Sequence, residues 1–78
     1  MGYRNFPTKR WLKWLEFRGL ERKRKKASHF IWDHKTTPYD RPIVVREAEK
    51  DVPGCHIYTT LKTMKISYEQ FLKEIEKL

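Results

Sequence analysis

The sequence predicts an α+β fold: a three-stranded antiparallel sheet covered on one face by helices, in the order α-β-β-β-α plus a C-terminal helix. Three observations carry this. Apolar residues recur at helical spacing near both ends of the chain, those from Ser28 to Asp33 alternate, and proline-rich or acidic stretches separate the segments. The 78 residues make one domain, 1–78, with 1–7 as an N-terminal arm and 67–78 as the last helix. A chain this short buries only about 60% of its unfolded surface. Its 38% hydrophobic and 14% aromatic content supplies one thin core, not a closed catalytic cavity. Any chemistry therefore belongs on the surface.

The first element is a helix from about Lys9 to Arg18. Thr8 is placed to cap it, Trp11, Leu12, Trp14 and Leu15 form its apolar stripe, and Gly19 stands where a helix-ending residue belongs. Phe17 falls off the stripe. Two short strands follow, about Leu20–Lys25 and Ser28–Asp33, joined by a tight turn at Lys26-Ala27. Alternation sends Phe30 and Trp32 to the helix-covered face and His29, Ile31 and Asp33 to the open one. "HKTTPYDRP" reads as a loop, Ile43–Arg46 as the third strand, and "EAEKDVPG" as an acidic loop. In "CHIYTTLKTMK" the residues favour a strand, but Ile57, Leu61 and Met64 repeat at helical spacing, and helix is preferred. The last helix is the clearest. Ser67 and Gln70 form a capping-box pair, and Tyr68, Phe71, Leu72, Ile75 and Leu78 make its stripe.

The net charge is +8, and its distribution says more than its size. Residues 1–46 hold 13 Lys/Arg against four Asp/Glu, while residues 47–78 hold five against six. Excess positive charge confined to one part of the chain points to a polyanion-binding face, with RNA or DNA as partner. Its densest run is Arg22, Lys23, Arg24, Lys25 and Lys26. Strict alternation would put Arg22, Arg24 and Lys26 on one face and Lys23 and Lys25 on the other. A single cysteine, Cys55, excludes an internal disulfide, and neither a membrane-spanning run nor a signal-peptide core is visible, so a cytoplasmic location is expected.

His29 lies on a strand directly behind that run. A strand histidine is more often structural than catalytic, but one on an open face among cations is placed to move a proton on a bound phosphodiester. Ser28 beside it is placed to orient RNA. A metal or other cofactor is not expected. His29 and His34 are too far apart on a strand to share an ion, and Cys55 and His56 are adjacent, so their side chains diverge. Cys55 as a nucleophile has only His56 beside it and no orienting group. Trp32 reads as core more readily than as a platform for stacking a base.

The helix ending in Gly, the basic strand, "ASHFIW", and then "HIYTTLKTMKIS" together resemble the HicA-type toxins of bacterial toxin–antitoxin pairs. The resemblance spans about Lys9 to Ser67, and the last helix matches a C-terminal extension found in some members. It implies a double-stranded-RNA-binding-domain-like fold, metal-independent mRNA endoribonuclease activity, and inhibition by a HicB-like antitoxin. The family's catalytic histidine falls on His29, and the small residues before it fall on Ala27 and Ser28. Two positions depart from the pattern. Ala27 replaces the usual Gly, so the turn is expected to avoid the left-handed backbone that Gly permits. Phe30 replaces a second His found in many members. That leaves the second proton-transfer group unassigned, with His34 as a weak candidate. The same charge pattern would equally serve a non-catalytic RNA-binding module.

Overall fold

A computed structural model describes residues 3–78; the first two residues of the arm lie outside the described part. The order is β1 (Phe6–Pro7), α1 (Thr8–Phe17), β2 (Leu20–Lys26), β3 (His29–His34), β4 (Ile43–Val45), β5 (Asp51–Val52), α2 (Gly54–Met64) and α3 (Tyr68–Glu76). Strands β2, β3 and β4 form the expected three-stranded antiparallel sheet in sequence order. The third strand ends at Val45, one residue before the expected Arg46. The arm and the acidic loop, both expected to be irregular, instead pair as a second small antiparallel ribbon, Phe6 opposite Val52 and Pro7 opposite Asp51. Two residues per strand leave no alternation to detect.

That ribbon alters how α1 begins. Thr8 is not the cap but the first helical residue, with Pro7 before it and no side-chain cap. The ribbon carries loop carbonyls over the helix start. There the Thr8 amide donates to the Lys50 carbonyl at 2.9 Å and its hydroxyl to the Glu49 carbonyl at 2.7 Å. These bonds satisfy polar groups that a helix N-terminus otherwise leaves open. At the other end Gly19 has φ +87°, and any Cβ there would lie 2.9 Å from Nε2 of His34. Both facts require glycine.

Trp11, Trp14 and Leu15 of α1, Ile57 and Leu61 of α2, and Phe71 and Ile75 of α3 are all buried against Leu20, Trp32, Ile43 and Val45 of the sheet. Phe71 stands at the centre, with edge-to-face contacts to Phe6, Trp11 and Trp14 at centroid distances of 5.1, 5.5 and 4.8 Å. Helix α3 is therefore part of the core, not an appendage. Its start keeps only half of the expected capping box. Ser67 Oγ accepts from the Gln70 amide at 3.1 Å, but the Gln70 side chain donates to Glu74 instead of reaching back. Leu78, expected on the apolar stripe, is exposed.

Candidate nucleic-acid interface and the groove beside it

The basic run forms most of β2, and a β-bulge divides it. Arg22 pairs with Trp32, but the next pair is Arg24 with Ile31, leaving Lys23 as the extra residue. The bulge overturns the alternation expected from sequence. Arg22 and Lys25 share the side of Trp32 and Phe30, whereas Arg24 and Lys26 share that of Ile31 and His29. Ring contacts agree. The Arg22 guanidinium lies 4.3 Å from the Phe30 centroid and 5.8 Å from that of Trp32, and Lys25 Nζ lies 5.7 Å from Phe30.

Two of the five cations are neutralised. Arg22 forms a two-pronged ion pair with Glu47, whose carboxylate also accepts from Trp32 Nε1 at 2.7 Å. Lys23 Nζ lies 2.8 Å from Glu21, and this hydrogen bond and charge, helped by Lys35, hold the Glu21 carboxyl below its ordinary range against a small effect of desolvation. Arg22 and Lys23 are thus poorer candidates for RNA than sequence suggested, because each must first give up a carboxylate. Among the described residues, Arg24, Lys25 and Lys26 are in no ion pair. They occupy the end of the strand next to the turn.

Lys26 pairs directly with His29 across that turn. Ala27 has φ +56° and so adopts the left-handed backbone it was expected to avoid. Closing a two-residue hairpin whose strands twist normally demands positive φ at the first turn position, and Ala meets that demand at a cost. His29 is half-buried. Its Nδ1 lies 3.5 Å from Ser28 Oγ, and its Nε2 accepts a hydrogen bond from Arg46 Nε at 3.1 Å. In that contact Nε2 is the acceptor, because a guanidinium has only donors.

A groove of about 290 Å³ opens beside His29, between β4 and α2. Arg41, Arg46, His56, Thr59 and Thr63 line it together with His29. Sequence reasoning placed neither Arg46 nor His56 at the site. The sequence offers Arg46 only as the end of a strand and His56 only as the neighbour of Cys55. Cys55 is exposed on the first turn of α2.

His34, the weak candidate for a second proton-transfer group, is separated from His29 by the length of β3, roughly 16 Å. Its Nδ1 accepts from the amides of Thr36 and Thr37 at 3.2 and 3.1 Å, and its ring packs on Gly19. It organises the loop after β3 and takes no part in the groove. Among the described residues no group of three or more His, Cys, Asp or Glu side chains is placed to hold a metal ion. Among the described residues no helix is long and apolar enough to cross a membrane. The chain matches no family model, no curated protein and no solved structure.

Proposed function

We propose that this protein is a HicA-type toxin, an RNA-binding, metal-independent endoribonuclease in which His29 is the general base. The observation that carries the reading is the turn end of the hairpin. There His29 stands opposite Lys26 and on the side of Arg24, with Lys25 on the other side of the strand, and its Nε2 accepts from Arg46. All three cations are in no ion pair among the described residues. Arg24, Lys25 and Lys26 track the RNA phosphates, and Ser28 helps to orient the strand. His29 withdraws the proton from a ribose 2′-hydroxyl as its oxygen attacks the neighbouring phosphorus. Preplaced cations stabilise the negative charge that builds there. A double-stranded-RNA-binding-domain-like fold and a HicB-like antitoxin partner belong to the same proposal.

The test compares purified unmutated protein with His29→Ala on a long single-stranded RNA. His29 is half-buried beside a turn, so the variant is expected to fold and to keep most of its RNA affinity, which the lysines and arginines supply. Cleavage should fall about 10²–10⁴-fold, the usual cost of losing a general base. Products should end in 2′,3′-cyclic phosphate, and EDTA should not slow their formation. The rival reading is a non-catalytic RNA-binding module, which the unpaired cations would serve as well. It prevails if RNA binds and neither version cleaves it.

A further inference from the structure

Cleavage by 2′-hydroxyl attack needs two proton transfers, and the groove beside His29 contains a second imidazole. We propose that His56 is the general acid of this site and that Arg46 is the phosphate anchor between the two histidines; the inference rests on the endoribonuclease reading above. Position is the first argument. His29, Arg46 and His56 line one groove. Arg46 and His56 also line a smaller hollow, of about 40 Å³, that continues from it toward Glu49 and Asp51. Arg46 is thus shared by both spaces and hydrogen-bonded to His29 in one of them. His56 is exposed, on the first turn of α2, where no packing role accounts for it.

Hydrogen bonding agrees with position. Arg46 donates to Nε2 of His29, so that nitrogen is already used as an acceptor, the role a base needs. The acid must then be another group, and His56 is the other imidazole in the groove. Arg46 is in no ion pair among the described residues, and its guanidinium presents a planar fork of donors suited to two phosphate oxygens. When phosphate enters, Arg46 turns from His29 to the phosphate and uncovers Nε2 as the substrate arrives. Arg41 and the hydroxyls of Thr59 and Thr63 line the same walls and provide further donors to a nucleotide.

The step balances without an added reactant. Nε2 of His29 takes the 2′-hydroxyl proton while the 2′-oxygen bonds to phosphorus. The bond from phosphorus to the 5′-oxygen breaks, and His56 gives that oxygen a proton. A 2′,3′-cyclic phosphate and a free 5′-hydroxyl result, with no change of oxidation state.

The experiment uses two substrates that differ only in their leaving group: a ribodinucleotide, and a ribonucleoside 3′-(4-nitrophenyl phosphate). Nitrophenolate departs without protonation, so an acid catalyst matters only for the dinucleotide. His56→Ala and His56→Gln should each slow dinucleotide cleavage at least about 10²-fold. Both should leave the nitrophenyl ester within about tenfold of the unmutated rate, which loss of structure could not do selectively. His29→Ala should slow both substrates. Equal losses on the two substrates in both His56 variants, or no loss on either, would overturn the assignment to His56 while leaving His29 in place. If His29→Ala cleaves as fast as the unmutated protein, or the unmutated protein cleaves neither substrate, the endoribonuclease reading fails and this inference goes with it. Arg46→Gln should raise KM for both substrates; an unchanged KM would remove Arg46 as the anchor.

Discussion

The two halves of strand β2 carry similar sequences and different chemistry. Arg22 and Lys23, before and at the bulge, are each paired with a carboxylate. Arg24, Lys25 and Lys26, beyond it, are paired with none among the described residues. The cause is local geometry joined to one distant residue. Arg22 pairs with Trp32, where Glu47 accepts from both, and the bulge turns Arg24 and Lys26 to the other side of the sheet. A run of like charge in a sequence therefore overstates the cations available to a polyanion. The second carboxylate knot, at Glu74, shows the same device away from the basic strand. Glu74 accepts from Trp14 Nε1 at 2.9 Å, from Arg18 and from Gln70, and binds α3 to α1. In both knots a mostly buried carboxylate joins a core tryptophan to an arginine. Structure, not ligand binding, uses that arginine.

The largest expected effect breaks the neutralised half outright. Trp32→Ala removes a core ring and one donor to Glu47, and should cost about 3–5 kcal/mol, enough to unfold a domain of this size. Urea denaturation measures it. If Trp32→Ala folds normally and loses only RNA binding, the two faces of the sheet have been exchanged and His29 is not on the open one.

The free half is tested by salt. Replacing Arg24, Lys25 and Lys26 together with Gln should reduce the slope of log affinity for RNA against log salt by roughly 2–3, while Lys23→Gln should change it by less than about 1. Equal effects per residue would show that the ion pair of Lys23 with Glu21 does not compete with phosphate. Stability should hardly change in either variant, because exposed charges contribute little.

Glu74 sharpens the comparison by pH. Burial raises its pKa, but hydrogen bonds from Gln70, Trp14 and Arg18, with the Arg18 charge, outweigh this and hold the carboxyl below the usual 4.5. A group depressed in the folded state stabilises fully above its unfolded pKa. That contribution is lost as the pH falls from about 4.5 through the lower folded value. Glu74→Gln should thus cost about 1–3 kcal/mol at pH 7 and much less near pH 3, read from urea midpoints at the two pH values. A cost that does not change with pH would mean that the carboxylate charge is unimportant to the knot.

The smallest effect concerns the turn that joins the free cations to His29. Ala27→Gly should stabilise the fold by about 0.5–1 kcal/mol, because Gly accepts the positive φ that strains Ala. A thermal melt shifted downward would show that the entropy of the unfolded glycine chain exceeds that strain.

Much of this was legible in the chain. The three strands, the stripes of α1 and α3 and the tryptophan core follow from periods of 3.6 and two residues and from the size of the side chains, which act over neighbouring positions. The left-handed Ala27 escaped because an alanine gives no signal for it. The capping role assigned to Thr8 failed because the carbonyls that receive it come from Glu49 and Lys50, far along the chain.

What the sequence determined by itself, then, is whatever a local period or the charge balance encodes: an α+β chain with an aromatic core and its excess cations in the first 46 residues. Tertiary structure alone decided which cations Glu47 and Glu21 neutralise, where β2 bulges, that Phe6 pairs with Val52, and that Arg46 and His56 join His29 at one groove. The reason is physical. A hydrogen bond or ion pair between residues distant in sequence depends on where the packed core places their backbones, and no local pattern carries that information.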